Sequence, residues 1–282
     1  MMLEEQNLCD IVCRELDLKY DKCDLSDWTN MLERVKNRDK TVKIALVGKY
    51  TKLHDAYLSV VEALSHAGYE NSAIIDIKWV DAETVNKDTV DSLLKDCQGI
   101  LVPGGFGDRG IEGMVCAANY ARVNNIPYLG VCLGMQIAVI EYARNVLNME
   151  NANSTEFDLE TKYPVIALMP DQFGNIMGGT MRLGAYPCKV KEKTMLHKCY
   201  GDLNISERHR HRYEFNNDFR EQMIENGLTI AGTSPDGKLV EAVEVEKNKF
   251  HVGVQYHPEF KSRPNRANPI FKGFINAAVS ML

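Results

Sequence analysis

The sequence predicts an α/β fold in which a central, mostly parallel sheet carries helices on both faces and follows a helical N-terminal segment. Short apolar runs alternate with amphipathic helical segments between residues 41 and 148, which is typical of such a sheet. Runs such as "GILV" and "YLGV" lack polar alternation, as expected for strands buried on both faces. With 282 residues, 45% of them apolar, the chain is long enough to bury a substantial core.

The N-terminal segment has two predicted helices. The first, residues 3–18, has four apolar residues at helical intervals, Leu8, Ile11, Val12 and Leu16. The second, residues 24–37, has Ser26 at the position of an N-cap. The charged stretch "NRDK" follows, so we expect a helical linker over residues 1–40 and one main domain over residues 41–282.

The main domain begins with four strand–helix repeats. The predicted strands are residues 41–50, 72–80, 99–105 and 126–131, and the predicted helices are residues 56–69, 90–97, 111–125 and 135–147. After residue 148 a polar and glycine-rich stretch leads into short strands, and the final helix has Asn268 as its cap and Pro269 in its first turn. Because parallel strands end at one edge of a sheet, we expect the active site at that edge.

Composition excludes several functional classes. A net charge of -6 and a pI near 5.7 argue against nucleic-acid binding through the phosphate backbone. The eight cysteines are scattered without CxxC pairs, which favours neither disulfides nor a metal site and fits a reducing cytoplasm. The sequence shows no leader and no apolar run long enough to cross a bilayer, so we expect no membrane association.

One cysteine has a distinctive setting. In "GVCLG", residues 130–134, Cys132 lies between two glycines at a strand-to-helix junction, the pattern of a nucleophile elbow. Gly130 and Gly134 would relieve crowding around a strained central residue. The helix that follows directs its positive N-terminus at the thiol and favours the thiolate. The other seven cysteines have no comparable setting, and we interpret them as structural.

A base and its orienting carboxylate are predicted near the C-terminus. In "HVGVQYHPEF" an alternating strand leads to His257, and Glu259 follows two residues later. Residues two apart on an extended chain face the same side, so Glu259 can approach His257 and fix its tautomer. Cysteine, histidine and glutamate then form a triad.

Acyl transfer through a thioester also requires donors for an oxyanion. The segment "LVPGGFGDRG" ends a predicted strand with closely spaced glycines, so its backbone can approach a ligand. Gly104 or Gly105, together with the N–H of Leu133, could supply these donors. An ordinary glycine-rich turn explains the segment equally well.

These residues resemble a class I glutamine amidotransferase, and further blocks resemble the glutaminase half of CTP synthases. The similarity runs from about residue 42 to residue 264. The matching blocks, in chain order, are "GKYTKLHDAYLSVVEAL", "PGGFGDRGIEG", "GVCLGMQ", "NSTEF", "MGGTMRLG", "SERHRHRYEFNN", "TSPDGKLVE" and "GVQYHPEF". The blocks "MGGTMRLG" and "SERHRHRYEFNN" distinguish this branch from other amidotransferases.

The resemblance implies roles for individual residues. Cys132 would attack the side-chain amide of L-glutamine, His257 would shuttle protons and Glu259 would orient it. Glu156 would meet the α-ammonium, and Arg212 would bind the α-carboxylate through a bidentate fork. The matching substrate-binding positions are Gly104, Gly105, Leu133, Gly134, Met135, Gln136, Glu156, Arg212 and Tyr213. Arg182, and less clearly Arg109, would take part in activation by GTP.

The resemblance also implies a partner domain. CTP synthases carry an N-terminal synthetase domain that uses ATP, Mg and UTP, and this sequence has no GxxxxGK[ST] loop and no room for that domain. We therefore expect a glutaminase part that needs no cofactor of its own and cannot make CTP alone. The apolar side of residues 3–35 would meet the synthetase domain, and the full-length protein would be a homotetramer.

Two other functions are compatible with the motifs. One is a cysteine hydrolase acting on larger γ-glutamyl donors. The compact carboxylate-binding segment "SERHRHRYE" argues against this alternative. The other is a catalytically idle regulatory module that binds a nucleotide or a partner, which the intact Cys132, His257 and Glu259 disfavour. Both are distinguished by activity toward free glutamine.

Overall fold

The computed structural model describes residues 2–19, 24–168 and 181–282. Its helices are α1 Met2–Glu5, α2 Leu8–Glu15, α3 Ser26–Lys36, α4 Leu58–Glu70, α5 Val90–Leu94, α6 Ile111–Val123, α7 Leu133–Asn145, α8 Met195–Tyr200, α9 Arg220–Glu225 and α10 Pro269–Val279. Its strands are β1 Lys40–Gly48, β2 Ala73–Asp81, β3 Gly99–Val102, β4 Tyr128–Val131, β5 Asn153–Ser154, β6 Pro164–Leu168, β7 Arg182–Val190, β8 Asn204–His211, β9 Tyr213–Phe215, β10 Leu228–Thr233, β11 Val240–Val245 and β12 His251–Val254.

Within these residues the central sheet has nine strands in the order β2-β1-β3-β4-β12-β11-β10-β7-β8. The strands from β2 to β12 in this order are parallel, and those from β12 to β8 are antiparallel. A smaller sheet joins β5, β6 and β9. The predicted α/β fold is confirmed, and its antiparallel extension is the region predicted only as short strands.

Helices cover both faces of the central sheet. One buried cluster includes Met114 of α6 and Ile137 of α7, and a second includes Leu64 of α4 and Phe274 of α10. All residues of β3 and β4 are buried, as their uninterrupted apolar sequences predicted. Fully burying one such large apolar side chain contributes roughly 1.5–3 kcal/mol, so the central strands are held rigidly.

The N-terminal segment differs from its prediction in two details. The helix expected over residues 3–18 is divided into α1 and α2 because Asn7 adopts a left-handed conformation, with φ 53°. Ser26 is the first residue of α3 and not its cap; the side chain of Asp24 accepts the Ser26 N–H at 2.9 Å. The segment leaves a set of large apolar side chains exposed, Leu3, Leu8, Ile11, Val12 and Leu16.

The C-terminal helix begins as predicted. Asn268 accepts the N–H of Ile270 at 3.1 Å, and Pro269 occupies the first turn of α10.

None of the helices in the described part of the chain combines the length and apolar character that a bilayer crossing requires. Across the same residues, no three or more His, Cys, Asp or Glu side chains are grouped as metal ligands.

Candidate active site

Cys132 lies at a sharp turn between β4 and α7. Its backbone has φ 52° and ψ -101°, a conformation that costs a non-glycine residue about 1–3 kcal/mol. A hydrogen bond from its N–H to the carbonyl of Val254 on the neighbouring β12, at 2.7 Å, holds the turn. The predicted elbow is therefore present, with the sulfur at the carboxyl edge of the sheet.

The two flanking glycines are required by close backbone contacts. A Cβ on Gly130 would lie 2.4 Å from the carbonyl oxygen of Gly134. A Cβ on Gly134 would lie 2.1 Å from the carbonyl oxygen of Val102 at the end of β3. No L side chain fits at either position without moving the backbone, so the prediction that these glycines relieve crowding is confirmed.

His257 reaches the same edge from β12. Its Nδ1 lies 2.7 Å from Oε1 of Glu259, the contact that the HPE sequence predicted. The backbone differs from the expected extended chain, because Pro258–Lys261 form a single 3-10 turn that turns Glu259 back toward the ring. The other carboxylate oxygen of Glu259, Oε2, is buried and has no hydrogen-bond partner among the described residues.

The imidazole of His257 favours the charged form. Burial alone lowers its pKa, but the Cys132 sulfur and the Glu259 carboxylate outweigh burial and raise the pKa to about 10. A Cβ on Gly104 would lie 2.8 Å from Cε1 of His257 and 3.6 Å from Cβ of Cys132. Gly104 therefore leaves the space in which the imidazole sits beside the sulfur.

The glycine-rich segment after β3 lines the site. A Cβ on Gly105 would lie 3.3 Å from Cδ2 of Leu133, so this residue is close to the start of α7. The N–H of Leu133 is in the first turn of α7 and has no intrahelical acceptor. Gly105 and the first turn of α7 are therefore neighbours beside Cys132.

A small cleft opens beside Cys132. It is lined by six residues predicted from sequence, Gly105, Cys132, Gln136, Glu156, Arg212 and Tyr213, and by two that were not, Phe106 and His211. A larger and more open concavity lies elsewhere, around Arg144 and Tyr163, and no cysteine lines it. The small cleft therefore combines a thiol with the carboxylate of Glu156 and the guanidinium of Arg212.

Comparisons with known proteins agree with this geometry. The class-I glutamine amidotransferase family matches residues 52–277. The chain belongs to this family. It is 55% identical to the CTP synthase of Clostridium kluyveri over 99% of its own length and 52% of that protein. It is 54% identical to the CTP synthase of Listeria innocua over 99% of its length and 53% of that protein.

A solved structure gives the same result. The glutaminase domain of Trypanosoma brucei CTPS, with bound acivicin, is 40% identical, with a TM-score of 0.81 over 85% of this chain and 94% of that one. This chain is thus a glutamine amidotransferase domain of the CTP synthase type. It spans about half the length of the curated CTP synthases that it matches.

In this amidotransferase domain Lys49 is a site residue that the sequence analysis missed. It is 4% exposed at the end of β1, and its Nζ donates to the carbonyls of Phe106, at 3.1 Å, and Gly107. Burial lowers its pKa to about 8, although the nearby Glu156 opposes this change. Its place at the carboxyl end of a parallel strand was the signal that could have identified it.

Glu156 and Lys49 hold the same loop. Oε1 of Glu156 accepts the N–H of Gly107 at 3.0 Å, while Lys49 binds the carbonyl of that residue. The loop that carries Gly105 is therefore fixed from two sides. Glu156 still faces the cleft that also contains Arg212 and Tyr213.

The first four residues of the "RHRHR" sequence, 208–211, form the end of β8, and Arg212 follows the strand. Arg208 and Arg210 are exposed, whereas His209 and His211 are each 2% exposed. Burial lowers the pKa of His209 to about 2 and that of His211 to about 3, with the Arg182 charge adding to both effects. Both imidazoles are therefore neutral at physiological pH.

The two arginines predicted to take part in activation by GTP have different environments. Arg182 has a side chain that is 9% exposed; it donates to Oε1 of Glu241 at 2.7 Å and lies 4.4 Å above the Tyr186 ring. Arg109 has a half-exposed side chain and donates to the carbonyl of Lys49 at 2.7 Å. Part of the "MGGTMRLG" block, residues 177–180, lies outside the described residues.

Proposed function

We propose that this domain hydrolyses L-glutamine to glutamate and ammonia through a thioester on Cys132. The observation that supports the proposal is that His257 lies beside Cys132, which lines a small cleft, and is held by Glu259. Residues 41–282 would form the glutaminase domain, and residues 1–40 would link it to a synthetase domain.

The reaction follows from an imidazolium–thiolate pair. The sulfur attacks the amide carbon, and the oxyanion accepts the N–H groups of Leu133 and of Gly105 or Gly104. His257 donates its proton to the departing ammonia. It then removes a proton from water, which attacks the thioester and releases glutamate and the free sulfur. Glu259 holds the imidazole in the orientation that both steps require.

Substrate recognition would use the opposite charges in the cleft. Glu156 would bind the α-ammonium and Arg212 the α-carboxylate. Tyr213, Gln136, Met135 and Gly134 would shape the pocket around the side chain. The cleft beside Cys132 is small, which favours the unsubstituted side-chain amide of free glutamine over γ-glutamyl peptides.

The ammonia would aminate UTP to CTP in a synthetase domain that uses ATP and Mg. The two related CTP synthases, which are about twice as long as this chain, support this assignment. The exposed apolar residues of α2 would contact the synthetase domain. GTP would activate glutamine hydrolysis through Arg182 or Arg109. We also propose a homotetrameric, cytoplasmic full-length enzyme without nucleic-acid or membrane partners.

Ammonia release from purified protein tests the proposal. The chain should hydrolyse glutamine, Cys132→Ala should abolish the activity, and Cys116→Ala should leave it unchanged. γ-Glutamyl dipeptides should be poor substrates; a preference for them would favour the peptidase alternative. A folded chain inert toward glutamine, alone or with an added synthetase domain and GTP, would support the regulatory alternative.

A further inference from the structure

A second polar side chain touches the Cys132 sulfur. Gln255 follows directly after β12, and the whole residue is 0% exposed. Its Nε2 lies 3.7 Å from Sγ of Cys132, within the range of an N–H···S hydrogen bond. Its backbone N–H donates to the carbonyl of Glu241 at 2.8 Å, so the residue is anchored at both ends.

The surrounding hydrogen bonds decide which end of the amide faces the sulfur. The carbonyl of Tyr213 can only accept, and it lies 3.0 Å from Nε2 of Gln136. This contact identifies Nε2 as the donor end of the Gln136 amide. The same Nε2 lies 3.3 Å from Oε1 of Gln255. Because this end of the Gln255 amide accepts, its –NH₂ group must point at Cys132.

We infer that Gln255 is a further catalytic residue, whose amide N–H donates to the Cys132 sulfur and stabilises the thiolate. The inference rests on the proposed role of Cys132 as nucleophile. Gln136 acts here as a positioning residue, because it holds the Gln255 amide in the donating orientation.

The burial of the sulfur explains why a donor is needed. Cys132 is 4% exposed, so water cannot solvate a negative sulfur fully. On another side the sulfur lies 4.0 Å from the carbonyl of Arg210, which accepts the S–H of a thiol but repels a thiolate. His257 and the Gln255 amide are then the two side chains that favour the anion.

Alkylation of Cys132 by iodoacetamide between pH 5.5 and 9 tests the inference, since only the thiolate reacts. Trypsin releases residues 123–144, in which Cys132 is the single cysteine, so mass spectrometry can measure this site alone. The variants are Gln255→Met, which removes the donor, and Gln255→Glu, which keeps the size and the acceptor for Gln136. Gln222→Met, on the surface, is the matched control.

We expect Gln255→Met to slow alkylation about tenfold at pH 6 and less than about twofold at pH 9, because a hydrogen bond to a charged group is worth roughly that factor. Gln255→Glu should slow it further at pH 6, and the control should match the parent. A merely structural role would not produce this pH dependence.

An unchanged alkylation profile in folded Gln255→Met protein would overturn the inference. If circular dichroism shows that this variant does not fold, the alkylation profile of Gln255→Glu is the test, and an unchanged profile in that variant would overturn the inference. Failure of the proposed function is distinguishable, because it would appear as absent ammonia release from the unmodified chain, whereas the alkylation profile does not depend on turnover.

Discussion

Nδ1 of His257 lies 2.7 Å from Oε1 of Glu259, and this contact determines which imidazole nitrogen faces Cys132. With Nδ1 held by the carboxylate, Nε2 is the atom free to exchange a proton with the sulfur, the leaving ammonia or water. The 3-10 turn of Pro258–Lys261 makes the contact local, so it does not depend on substrate.

Removing this carboxylate should impair catalysis less than removing the imidazole. We expect both His257→Ala and Glu259→Gln to lower kcat, with the loss in His257→Ala about 10²-fold the larger, because a base remains when only the carboxylate is lost. Steady-state ammonia release measures both, with Glu221→Gln on the surface as the control. Equal activity of Glu259→Gln and the unmodified domain would contradict the orienting role.

Gly104 should be far less tolerant of a methyl group than Gly105. A Cβ on Gly104 would lie 2.8 Å from Cε1 of His257, whereas the nearest atom to a Cβ on Gly105 is a flexible Leu133 methyl at 3.3 Å. Displacing the imidazole by a fraction of an ångström can cost up to about 10²-fold in rate. Kinetics of Gly104→Ala and Gly105→Ala test this, and a smaller kcat loss in Gly104→Ala would refute it.

Cys132 should be a strained position. With φ 52° and ψ -101°, Cys132→Gly relieves backbone strain that Cys132→Ala retains. After the extra flexibility of glycine in the unfolded chain is subtracted, we expect Cys132→Gly to exceed Cys132→Ala in free energy of unfolding by about 1 kcal/mol. Urea denaturation measures the difference; a less stable glycine variant would argue against strain.

Lys49 should matter for catalysis although it touches neither sulfur nor imidazole. Lys49→Met removes the hydrogen bonds to the carbonyls of Phe106 and Gly107 and loosens the loop that carries Gly105. Because each of these hydrogen bonds is worth about 1 kcal/mol, kcat/KM should fall about tenfold or more. Lys52 is a neighbouring exposed lysine, and Lys52→Met is the control. An unchanged kcat/KM in Lys49→Met would contradict the role of Lys49 in holding the loop.

His251 should make the domain sensitive to acid. It is buried against Tyr128 with ring centroids 4.6 Å apart, and burial, aided by the Arg122 charge, lowers its pKa to about 3. The unfolded chain, with a histidine pKa near 6.5, therefore binds the extra proton first, and stability falls as the pH drops below 6.5.

His251→Phe should remove this particular loss. Between pH 6.5 and about pH 4.5 the unmodified domain should lose about 2–3 kcal/mol more stability than the variant. Denaturation curves at both pH values give the comparison, and parallel losses in the two proteins would show that His251 does not titrate on unfolding.

The parallel core and the elbow were predictable because their determinants are local. Apolar runs without alternation indicated β3 and β4, and "GVCLG" indicated the turn, since only glycine fits on either side of it. Prediction failed where local signals were weak. The break between α1 and α2 depends on the left-handed conformation of Asn7, and α3 begins at Ser26, whose N–H is bound by Asp24.

The sequence by itself thus determined the fold class, the nucleophile elbow and the His257–Glu259 pair. Only the tertiary structure decided what surrounds them. Gln255 and Cys132 are 123 residues apart in the chain, and Lys49 and the Phe106 carbonyl that it binds are 57 residues apart. Short motifs encode backbone shape through sterics, but whether a polar side chain is buried, and which atom it bonds, depends on segments that meet only in the folded chain.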